Sequence, residues 1–382
     1  MDYDPDYKPD LVGLTLQQEL SDTRYACNGL NRIQGTRDGN YVYRGTLRSP
    51  LDPRDGKLPE RTIIIKYSDE GPQIPPARYE FELLLGNTLA TKFKPSRGEI
   101  TTAASPHIYH SDFEKGYQIS QDVGLNPPIK YTMFADYISP DSRFTIGRQV
   151  GSWLRDFHTW SSAPEQKYLL DALPADDATR QVKWFFTFSL FLEAFDEFPE
   201  LIRDHEDQVE AVLAPLTKQA FGPWDQLGSN WGLIHGDIWL GNVLPSRTGW
   251  HESASPEEPN ELVVIDFELS QFWHRSFDLG QAIGDMFEKH LYRGCQDSLG
   301  VIEGLIEGYG PVDEDMAYRT AIYVGMHVIN WYRRTKSKSI PLETLKNGLR
   351  AGRDFILAVE AKNKAYFLDT PLASMFRPLI EQ

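Results

Sequence analysis

Two short apolar stretches, each followed within three residues by an aspartate, constrain this chain more than any other feature of its sequence. The stretch 231–234 (Trp-Gly-Leu-Ile) leads into His-Gly-Asp at 235–237, and Asn242 follows five residues after the aspartate. The stretch 262–265 (Leu-Val-Val-Ile) leads into Asp-Phe-Glu at 266–268. Short apolar runs bounded by polar residues are typical of buried strands. We therefore predict two strands that carry carboxylate and amide oxygens at their ends.

These oxygens suit a magnesium ion and a phosphate chain. Mg²⁺ takes oxygen ligands from one or two protein groups and leaves its other positions to phosphate oxygens and water. Asp237 is the candidate to orient an acceptor hydroxyl and take its proton, while Asn242 and Asp266 are the candidates to hold the metal. The alternative is that Asp237 and Asp266 are ordinary turn or helix-capping residues.

The chain around this motif divides into a strand-rich first part and a helical second part. β-branched and aromatic residues predict strands at 41–47, 62–66 and 116–120, with a helix at about 79–90. Beyond residue 123, apolar residues recur at helical spacing, as at Ile146, Val150 and Trp153. We therefore predict an α+β fold of two lobes. The predicted divisions are an amino-terminal extension over 1–26, a β-rich lobe over 27–122 and a helical lobe over 123–382.

The motifs resemble those of the small-molecule kinases of protein-kinase-like fold. This family includes aminoglycoside phosphotransferases, choline kinases and methylthioribose kinase. The sequences of segments 237–242 and 121–124 are most similar to the branch that contains fungal hydroxytryptamine kinase and methylthioribose kinase. The resemblance covers most of residues 27–360. It implies a small β-rich amino-terminal lobe and a larger helical carboxyl-terminal lobe, with ATP and Mg²⁺ as cofactors. It also implies Asp237 as the catalytic residue and Asn242 and Asp266 as metal ligands.

Three departures from protein kinases favour a small acceptor over a protein. Gly236 stands where the protein-kinase signature has arginine, and Glu268 stands where it has glycine. No A-P-E segment follows downstream. The resemblance further assigns a structural role to Asp278, and it makes His158 a satisfied core histidine rather than a catalytic one.

The resemblance also implies a lysine and a glutamate in the first lobe. Lys66 ends its predicted strand where a kinase places the lysine that grips the α- and β-phosphates. Glu80 on the next helix is preferred to Glu82 as its ion-pair partner. The alternative for Lys66 is a solvated charge at a strand edge.

Two further segments of the first lobe resemble nucleotide-binding elements. The turn at 34–44 is similar to the phosphate-covering turn of the family, whose backbone N–H groups face the nucleotide. The segment 119–124 is similar to the hinge, whose backbone groups hydrogen-bond adenine. The binding residues implied are Gly35, Thr36 and Asn40 in the turn and Ser120, Gln121 and Asp122 in the hinge. A plain hairpin and a connector without a ligand remain as alternatives.

Three residues are candidates to line the acceptor site. Trp239 and Glu268 lie next to the proposed catalytic and metal residues in sequence. Trp331 lies on a late helix where choline kinase-like relatives place aromatic side chains, and its face suits an amine or an indole. The alternative for Trp331 is plain core packing.

Charge and composition exclude several classes of partner. The chain has 39 Lys and Arg residues against 55 Asp and Glu residues, and its net charge of −16 repels nucleic acid and anionic membranes. Its two cysteines provide no disulfide framework, and no targeting sequence is recognisable at the acidic amino terminus. We therefore expect a cytoplasmic protein with a small-molecule acceptor. Whether it is a monomer or a homodimer stays open.

The sequence as a whole predicts an ATP- and Mg²⁺-dependent phosphotransferase that acts on a hydroxyl of a small metabolite. The acidic surface and the tryptophans favour an amine-bearing or aromatic alcohol. The alternative is a nucleotide-binding pseudokinase with a regulatory or scaffold role. Pseudokinases lose part of the catalytic set, whereas Lys66, Asp237, Asn242 and Asp266 are all present.

Overall fold

The computed structural model describes residues 10–33, 40–52, 59–68, 76–98, 101–174, 178–223, 227–335 and 340–381. Their contacts divide the chain into two compact units. The first unit takes the described residues up to Thr91 together with Pro106–Val123. The second takes the described residues of Lys92–Ser105 and those from Gly124 onwards. Strands dominate the first unit and helices the second, in agreement with the α+β fold predicted from the sequence.

The elements are numbered in chain order. The strands are β1 (Cys27–Arg32), β2 (Asn40–Leu51), β3 (Glu60–Ser68), β4 (Thr101–Ala104), β5 (Ile108–Asp112), β6 (Tyr117–Gln121), β7 (Trp231–Ile234), β8 (Val243–Pro245), β9 (Asn260–Val264) and β10 (Gln271–His274). The helices are α1 (Leu11–Glu19), α2 (Pro76–Lys92), α3 (Ile129–Thr132), α4 (Pro140–Trp160), α5 (Lys167–Asp171), α6 (Ala178–Trp184), α7 (Leu190–Glu193), α8 (Glu206–Ala220), α9 (Ser276–Arg293), α10 (Ser298–Tyr309), α11 (Glu314–Thr335), α12 (Leu342–Glu360) and α13 (Ala373–Ile380).

The first unit is built on a five-stranded sheet. Its order is β1-β2-β3-β6-β5, and each neighbouring pair is antiparallel. Side chains alternate across a strand, so Ile63 and Ile65 of β3 face the same side, and both are fully buried. They share a core with Tyr43 of β2 and Leu16 of α1. The segment predicted as an extension over 1–26 therefore contributes a helix to this core.

The second unit contains two small sheets among its helices. One has the order β4-β9-β8, with β4 parallel and β8 antiparallel to β9. The other pairs β7 with β10 in antiparallel fashion. The sequence predicts β7, β8 and β9 from their apolar residues. It does not predict β4, which is all Thr and Ala, or β10, where polar and aromatic residues mix.

Helices α4 and α10 approach each other closely because both carry glycines on their facing sides. A Cβ added at Gly147 or Gly151 of α4 would lie 2.2 Å from a backbone oxygen of α10. One added at Gly304 or Gly308 of α10 would lie 2.2 or 2.0 Å from a backbone oxygen of α4. Residues four apart share a helix face, so each pair of glycines forms one contact surface. A larger side chain at any of these positions forces the two backbones apart.

Helix α9 lies in the interior of the second unit for most of its length. Its apolar residues Ala282, Ile283 and Met286 are fully buried. It ends at Gly294, whose φ of 67° gives the left-handed cap that glycine favours. In the part of the chain that the structure describes, no helix is both long and apolar enough to cross a membrane.

Candidate active site

The segment 235–242, here called the 235–242 loop, joins β7 to β8 and carries Asp237. Each end is held by a neighbouring strand, because β7 pairs with β10 and β8 pairs with β9. Gly236 has a φ of 84°, and a Cβ at this position would lie 2.0 Å from the backbone oxygen of Leu269. Only glycine fits such a position. The sharp turn before Asp237 therefore depends on Gly236.

Two amide donors hold the carboxylate of Asp237, one on each oxygen. Asn242 Nδ2 lies 3.2 Å from Oδ2 and 2.9 Å from the main-chain oxygen of Asp237. Gln281 Nε2, which comes from α9, lies 2.7 Å from Oδ1. An ionised carboxylate has about four acceptor positions, so both oxygens keep capacity for a further donor such as a hydroxyl.

Asp266 follows β9 with a backbone conformation that is uncommon for a residue other than glycine. Its φ is 74°, in the left-handed region, where such strain often marks functional sites. The main-chain N–H of Ile265 donates to the main-chain oxygen of Asn242 at 3.0 Å, so Asp266 and Asn242 lie at the same end of the β8–β9 pair. Both hydrogen bonds from the Asn242 side chain use Nδ2, which leaves Oδ1 as the atom that could bind a metal. A carboxylate and an amide oxygen at neighbouring positions form a donor set that fits Mg²⁺.

His235 links the two acidic segments as a neutral ring. The main-chain N–H of Asp237 donates to Nδ1 at 3.2 Å, and Nε2 lies 3.1 Å from the carbonyl oxygen of Ile265. A carbonyl only accepts and an amide N–H only donates, so the proton of the ring is on Nε2. Burial lowers the pKa of His235 and keeps it uncharged. His235 thus ties the backbone of Asp237 to the residue before Asp266.

Asp278 fixes the start of the 235–242 loop from the first turn of α9. Its carboxylate accepts the main-chain N–H groups of His235 at 2.8 Å and Gly236 at 2.9 Å. It also lies 3.0 Å from Nε2 of His158, whose Nδ1 lies 2.9 Å from the hydroxyl of Tyr309. Burial alone would raise the pKa of Asp278, but the hydrogen bonds and nearby histidines lower it below its ordinary value. Asp278 and His158 therefore have the structural contacts that the resemblance implies.

A buried charged cluster supports the end of the same loop. Asp285 of α9 accepts the main-chain N–H of Leu240 at 3.1 Å and forms an ion pair with Lys130. Lys130 also pairs with Glu288 at 3.2 Å, and its ammonium lies 4.6 Å from the ring centroid of Trp239. Burial alone would lower the pKa of Lys130, but the two carboxylates raise it, so it stays charged.

The same two carboxylates belong to a group that resembles a metal site. Asp285, Glu288 and His327 have ligand atoms within 4.8 Å of one another. The ammonium of Lys130 contacts both carboxylates, and His327 Nε2 lies 3.1 Å from the second oxygen of Glu288. The lysine therefore already neutralises one of the two carboxylate charges that would attract a metal ion.

The three acceptor candidates have different surroundings. Trp239 is half-buried with its ring beside Lys130, and Glu268 is half-buried two residues after Asp266. Trp331 is 9% exposed and stacks on Tyr292, with ring centroids 4.2 Å apart and planes at 16°. This is the packing expected of the core alternative. A role of Trp331 in acceptor binding stays a prediction.

In the first unit, the structure places Glu82 rather than Glu80 on the side of Lys66. Lys66 of β3 is paired in register with Gln118 of β6, and side chains of directly opposed residues share a face. Gln118 Nε2 donates to Glu82 at 3.0 Å, and Glu82 is buried. Glu80 is exposed and lines a shallow surface groove with Leu83 and neighbouring α2 residues. This geometry favours Glu82 over the predicted Glu80, and the acidic partner of Lys66 stays a prediction.

The hinge residues form the end of β6. Ser120 pairs with Ile64 of β3, and the main-chain N–H of Gln121 donates to the carbonyl of His107 at 2.8 Å. The carboxylate of Asp122 is fully buried and forms an ion pair with Arg44. Any contact of Asp122 with a nucleotide therefore falls to its backbone. Gly35 and Thr36 lie outside the described residues, and of Asn40 only the backbone, at the start of β2, is described.

A family model matches the part of the chain that contains this site. The model described as "Phosphotransferase enzyme family" matches residues 127–319, just over half of the chain, and this range contains the 235–242 loop, Asp266 and α9. The chain belongs to this phosphotransferase family. The prediction that it is an enzyme of the phosphotransferase class is thereby confirmed.

Two proteins that are named as a phosphotransferase and a kinase are similar to this chain over most of its length. Phosphotransferase FrzJ from Cladobotryum sp is 25% identical over 96% of this chain and 97% of its own length. 4-Hydroxytryptamine kinase from Psilocybe cubensis is 19% identical over 86% of this chain and 87% of its own length. The predicted resemblance to small-molecule kinases, which included the hydroxytryptamine kinase branch, is confirmed.

A solved structure confirms the fold. The GDP complex of a mutant aminoglycoside 2′-phosphotransferase-IIIa matches with a TM-score of 0.52 and 12% identity, over 94% of this chain and 99% of that one. The phosphotransferase therefore has the small sheet lobe and larger helical part that the sequence analysis predicted.

Sequence reasoning missed several residues that contact the 235–242 loop, among them Lys130, Gln281 and Asp285. The last two carried a readable signal. They lie three and seven residues after Asp278, which places all three on one face, and every other residue of 279–287 is apolar or glycine. Lys130 had no such signal, because apolar residues do not recur at helix or strand spacing in the short segment before it.

Proposed function

We propose that this phosphotransferase moves the γ-phosphoryl group of ATP, in the presence of Mg²⁺, to a hydroxyl of a small metabolite. The observation that carries the proposal is the carboxylate of Asp237, held on both oxygens by Asn242 and Gln281 and still able to accept a hydrogen bond. In phosphoryl transfer most of the catalysis is positioning and charge stabilisation. A carboxylate fixed in this way is suited to orient one hydroxyl and to take its proton.

Asn242 and Asp266 are the residues that would hold Mg²⁺. The amide oxygen of Asn242 is left over from its hydrogen bonds to Asp237, and Asp266 lies at the same end of the β8–β9 pair. When bound, the ion supplies positive charge against the phosphate oxygens. Asp266 remains in its strained conformation because the β8–β9 pair and His235 fix the residue before it.

The first unit would bind the nucleotide. Lys66 on β3 is proposed to contact the α- and β-phosphates, with Glu82 as the acidic residue on its side of the sheet. The backbone at Ser120, Gln121 and Asp122 is proposed to hydrogen-bond adenine. The turn that carries Gly35, Thr36 and Asn40 is proposed to cover the phosphates.

The acceptor is proposed to be an amine-bearing or aromatic alcohol. The net charge of −16 raises the local concentration of cations, and one similar protein is named for its action on 4-hydroxytryptamine. Trp239 and Glu268 are the acceptor-lining candidates nearest to Asp237 and Asp266 in the chain. Trp331 is less favoured, since Tyr292 covers one face of its ring and Arg293 lies 5.9 Å from the ring centroid.

ATP consumption with Mg²⁺ tests the proposal against a panel of amino alcohols, aminoglycosides, hydroxyindoles, methylthioribose and terpenoid alcohols. We expect turnover with an amine-bearing or aromatic alcohol. In Asp237→Asn, kcat should fall about 100-fold or more while calorimetry shows unchanged nucleotide binding. An Asp237→Asn variant that keeps a third of the activity overturns the role of Asp237. Nucleotide binding without turnover on any alcohol supports the pseudokinase alternative instead.

A further inference from the structure

Helix α9 presents a polar stripe to the 235–242 loop, of which Gln281 is half-buried and the other members are buried. The stripe is formed by Asp278, Gln281, Asp285 and Glu288, which are spaced three, four and three residues apart and so share one helix face. Asp278 accepts main-chain N–H groups at the start of the loop, and Asp285 accepts the N–H of Leu240 near its end. These carboxylates hold the loop by its backbone.

Gln281 differs from the other members of the stripe because it contacts a side chain of the 235–242 loop. It lies between the two backbone attachments, and its Nε2 donates to Oδ1 of Asp237 at 2.7 Å. The nitrogen must face Asp237, since an amide oxygen turned toward an ionised carboxylate would place two acceptors together. The amide is therefore a donor to the residue proposed to bind the acceptor hydroxyl.

Within the described part of the chain, the amide oxygen of Gln281 makes no hydrogen bond that would stabilise the fold. Oε1 is buried and has no hydrogen-bond partner among the described residues. A buried acceptor without a partner is costly for folding. A methionine of similar length would fill the same space without that cost. The benefit of glutamine at this position therefore lies in its donation to Asp237.

Two donors on opposite oxygens fix the rotation of the Asp237 carboxylate. This torsion is otherwise broad, because terminal sp³–sp² torsions have weak preferences. Asn242 donates to Oδ2 at 3.2 Å, but it is also the amide proposed to bind the metal. Gln281, at 2.7 Å, has the shorter contact and no proposed second role. It is therefore the residue dedicated to the orientation of Asp237.

We propose that Gln281 is a positioning residue for phosphoryl transfer, which acts through Asp237 and sets the direction of its carboxylate toward the acceptor hydroxyl. This inference rests on the proposed function of Asp237. A misdirected carboxylate still allows both substrates to bind, but it reduces the fraction of bound complexes in which the hydroxyl is correctly oriented. Loss of the donor therefore lowers kcat and leaves both KM values nearly unchanged.

Gln281→Met tests the proposal, since it keeps the length of the side chain and removes the donor. We expect kcat to fall about tenfold or more, with the KM for ATP and the KM for the best panel alcohol each within about twofold of wild type. Gln281→Glu should lower kcat further, because it brings a second carboxylate to Asp237. Gln166→Met is the matched control. Gln166 is also buried with an unpaired Oε1, but it lies before α5, and its replacement should leave kcat unchanged.

A double-mutant cycle separates positioning from a general structural effect. If Gln281 acts through Asp237, then Gln281→Met added to Asp237→Asn should reduce the residual kcat by less than about twofold. A full additional tenfold loss, a shared rise of both KM values, or an unchanged kcat in Gln281→Met overturns the proposal. If Asp237→Asn alone keeps most of its activity, the proposed function of Asp237 fails first, whatever the Gln281 variants show.

Discussion

Asp266 combines a charge with an unfavourable backbone conformation, and two substitutions separate these properties. Asparagine tolerates the left-handed region, so Asp266→Asn removes the charge without adding strain. We expect the half-saturating Mg²⁺ concentration to rise about tenfold or more, with Tm almost unchanged. Asp266→Ala should show the same Mg²⁺ effect and, in addition, lose about 1 kcal/mol of stability because alanine is strained at positive φ.

Initial rates over a Mg²⁺ titration and thermal unfolding of both variants give the two readouts. An unchanged Mg²⁺ requirement in both variants would return Asp266 to a purely structural role. Equal losses of Tm in both variants would mean that the charge, rather than the backbone conformation, determines local stability.

The acidic partner of Lys66 is a second question at the residue scale. Glu82→Gln removes the buried negative charge on the side of the sheet that Lys66 shares with Gln118. We expect the KM for ATP to rise about fivefold or more, because an unbalanced lysine is held less well toward the phosphates. Steady-state kinetics of Glu80→Gln provide the control, with the KM for ATP within about twofold of wild type. The reverse order of effects would restore Glu80.

Single residues show where sequence reasoning succeeds and where it fails. Asp237, Asn242 and Asp266 are found from the sequence because their signal is local: an apolar strand followed by an oxygen donor. The choice between Glu80 and Glu82 is not local. Residues that are two positions apart on a helix point in directions about 200° apart. The choice therefore depends on which face of α2 packs against the sheet, and the weak apolar pattern of α2 does not decide that.

At the scale of elements, the pair α4 and α10 provides a test of close packing. Gly308→Ala would place a Cβ 2.0 Å from the backbone oxygen of Arg148, so the helices must separate. We expect a loss of about 2–4 kcal/mol in the free energy of unfolding, from overpacking and the contacts given up. Denaturant unfolding of the purified variant measures it.

Gly300→Ala in the same helix is the matched control. A Cβ at Gly300 has no other atom within 4 Å, so alanine should be neutral or should stabilise by up to about 1 kcal/mol through helix propensity. If both variants lost a similar free energy of unfolding, the close approach of α4 and α10 would not be the cause of the loss. The cause would instead be a backbone effect of the substitution of glycine in α10.

Elements also differ in how well the sequence predicts them. Strand β3 is predicted from its run of β-branched residues, and helix α2 is predicted from the apolar residues between positions 79 and 85. Strand β4 has only Thr and Ala and becomes a strand because β9 offers it a parallel partner. Helix α1 has a weak apolar pattern and is stabilised by packing of Leu16 in the core of the first unit. In both cases tertiary contacts determine the structure, and single-sequence patterns do not contain them.

At the scale of the whole molecule, buried neutral histidines make stability depend on pH. His274 is fully buried between Ser276 and Asp315, and burial lowers its pKa to about 4. Burial also lowers the pKa of His158 and of His235. A histidine with a lowered folded-state pKa binds its proton more readily when unfolded. Its contribution to stability is therefore complete above about pH 6.5 and is lost as the pH falls toward 4.

We expect Tm to fall steeply between about pH 6.5 and 4, and we expect His274→Gln to make this fall less steep. Glutamine keeps one donor for Asp315 and one acceptor for Ser276 but does not titrate. Thermal unfolding of wild type and variant at a series of pH values measures the difference. His251→Gln, at an exposed position, should follow the wild-type curve. Parallel curves for wild type and His274→Gln would contradict the role of His274.

The attachments of the 235–242 loop to α9 also limit how its length can change. Asp278 and Asp285 are seven residues apart, or about 10 Å along the helix axis. The four residue-to-residue steps from Gly236 to Leu240 reach at most about 14 Å when fully extended, and three steps would reach about 11 Å. A loop shortened by one residue would only just span the two attachments. A loop lengthened by one residue would have to bulge, which would move Asp237 away from Gln281. New acceptor preferences in this phosphotransferase would therefore arise from exchanged side chains or from segments outside the loop, and not from a longer or shorter loop.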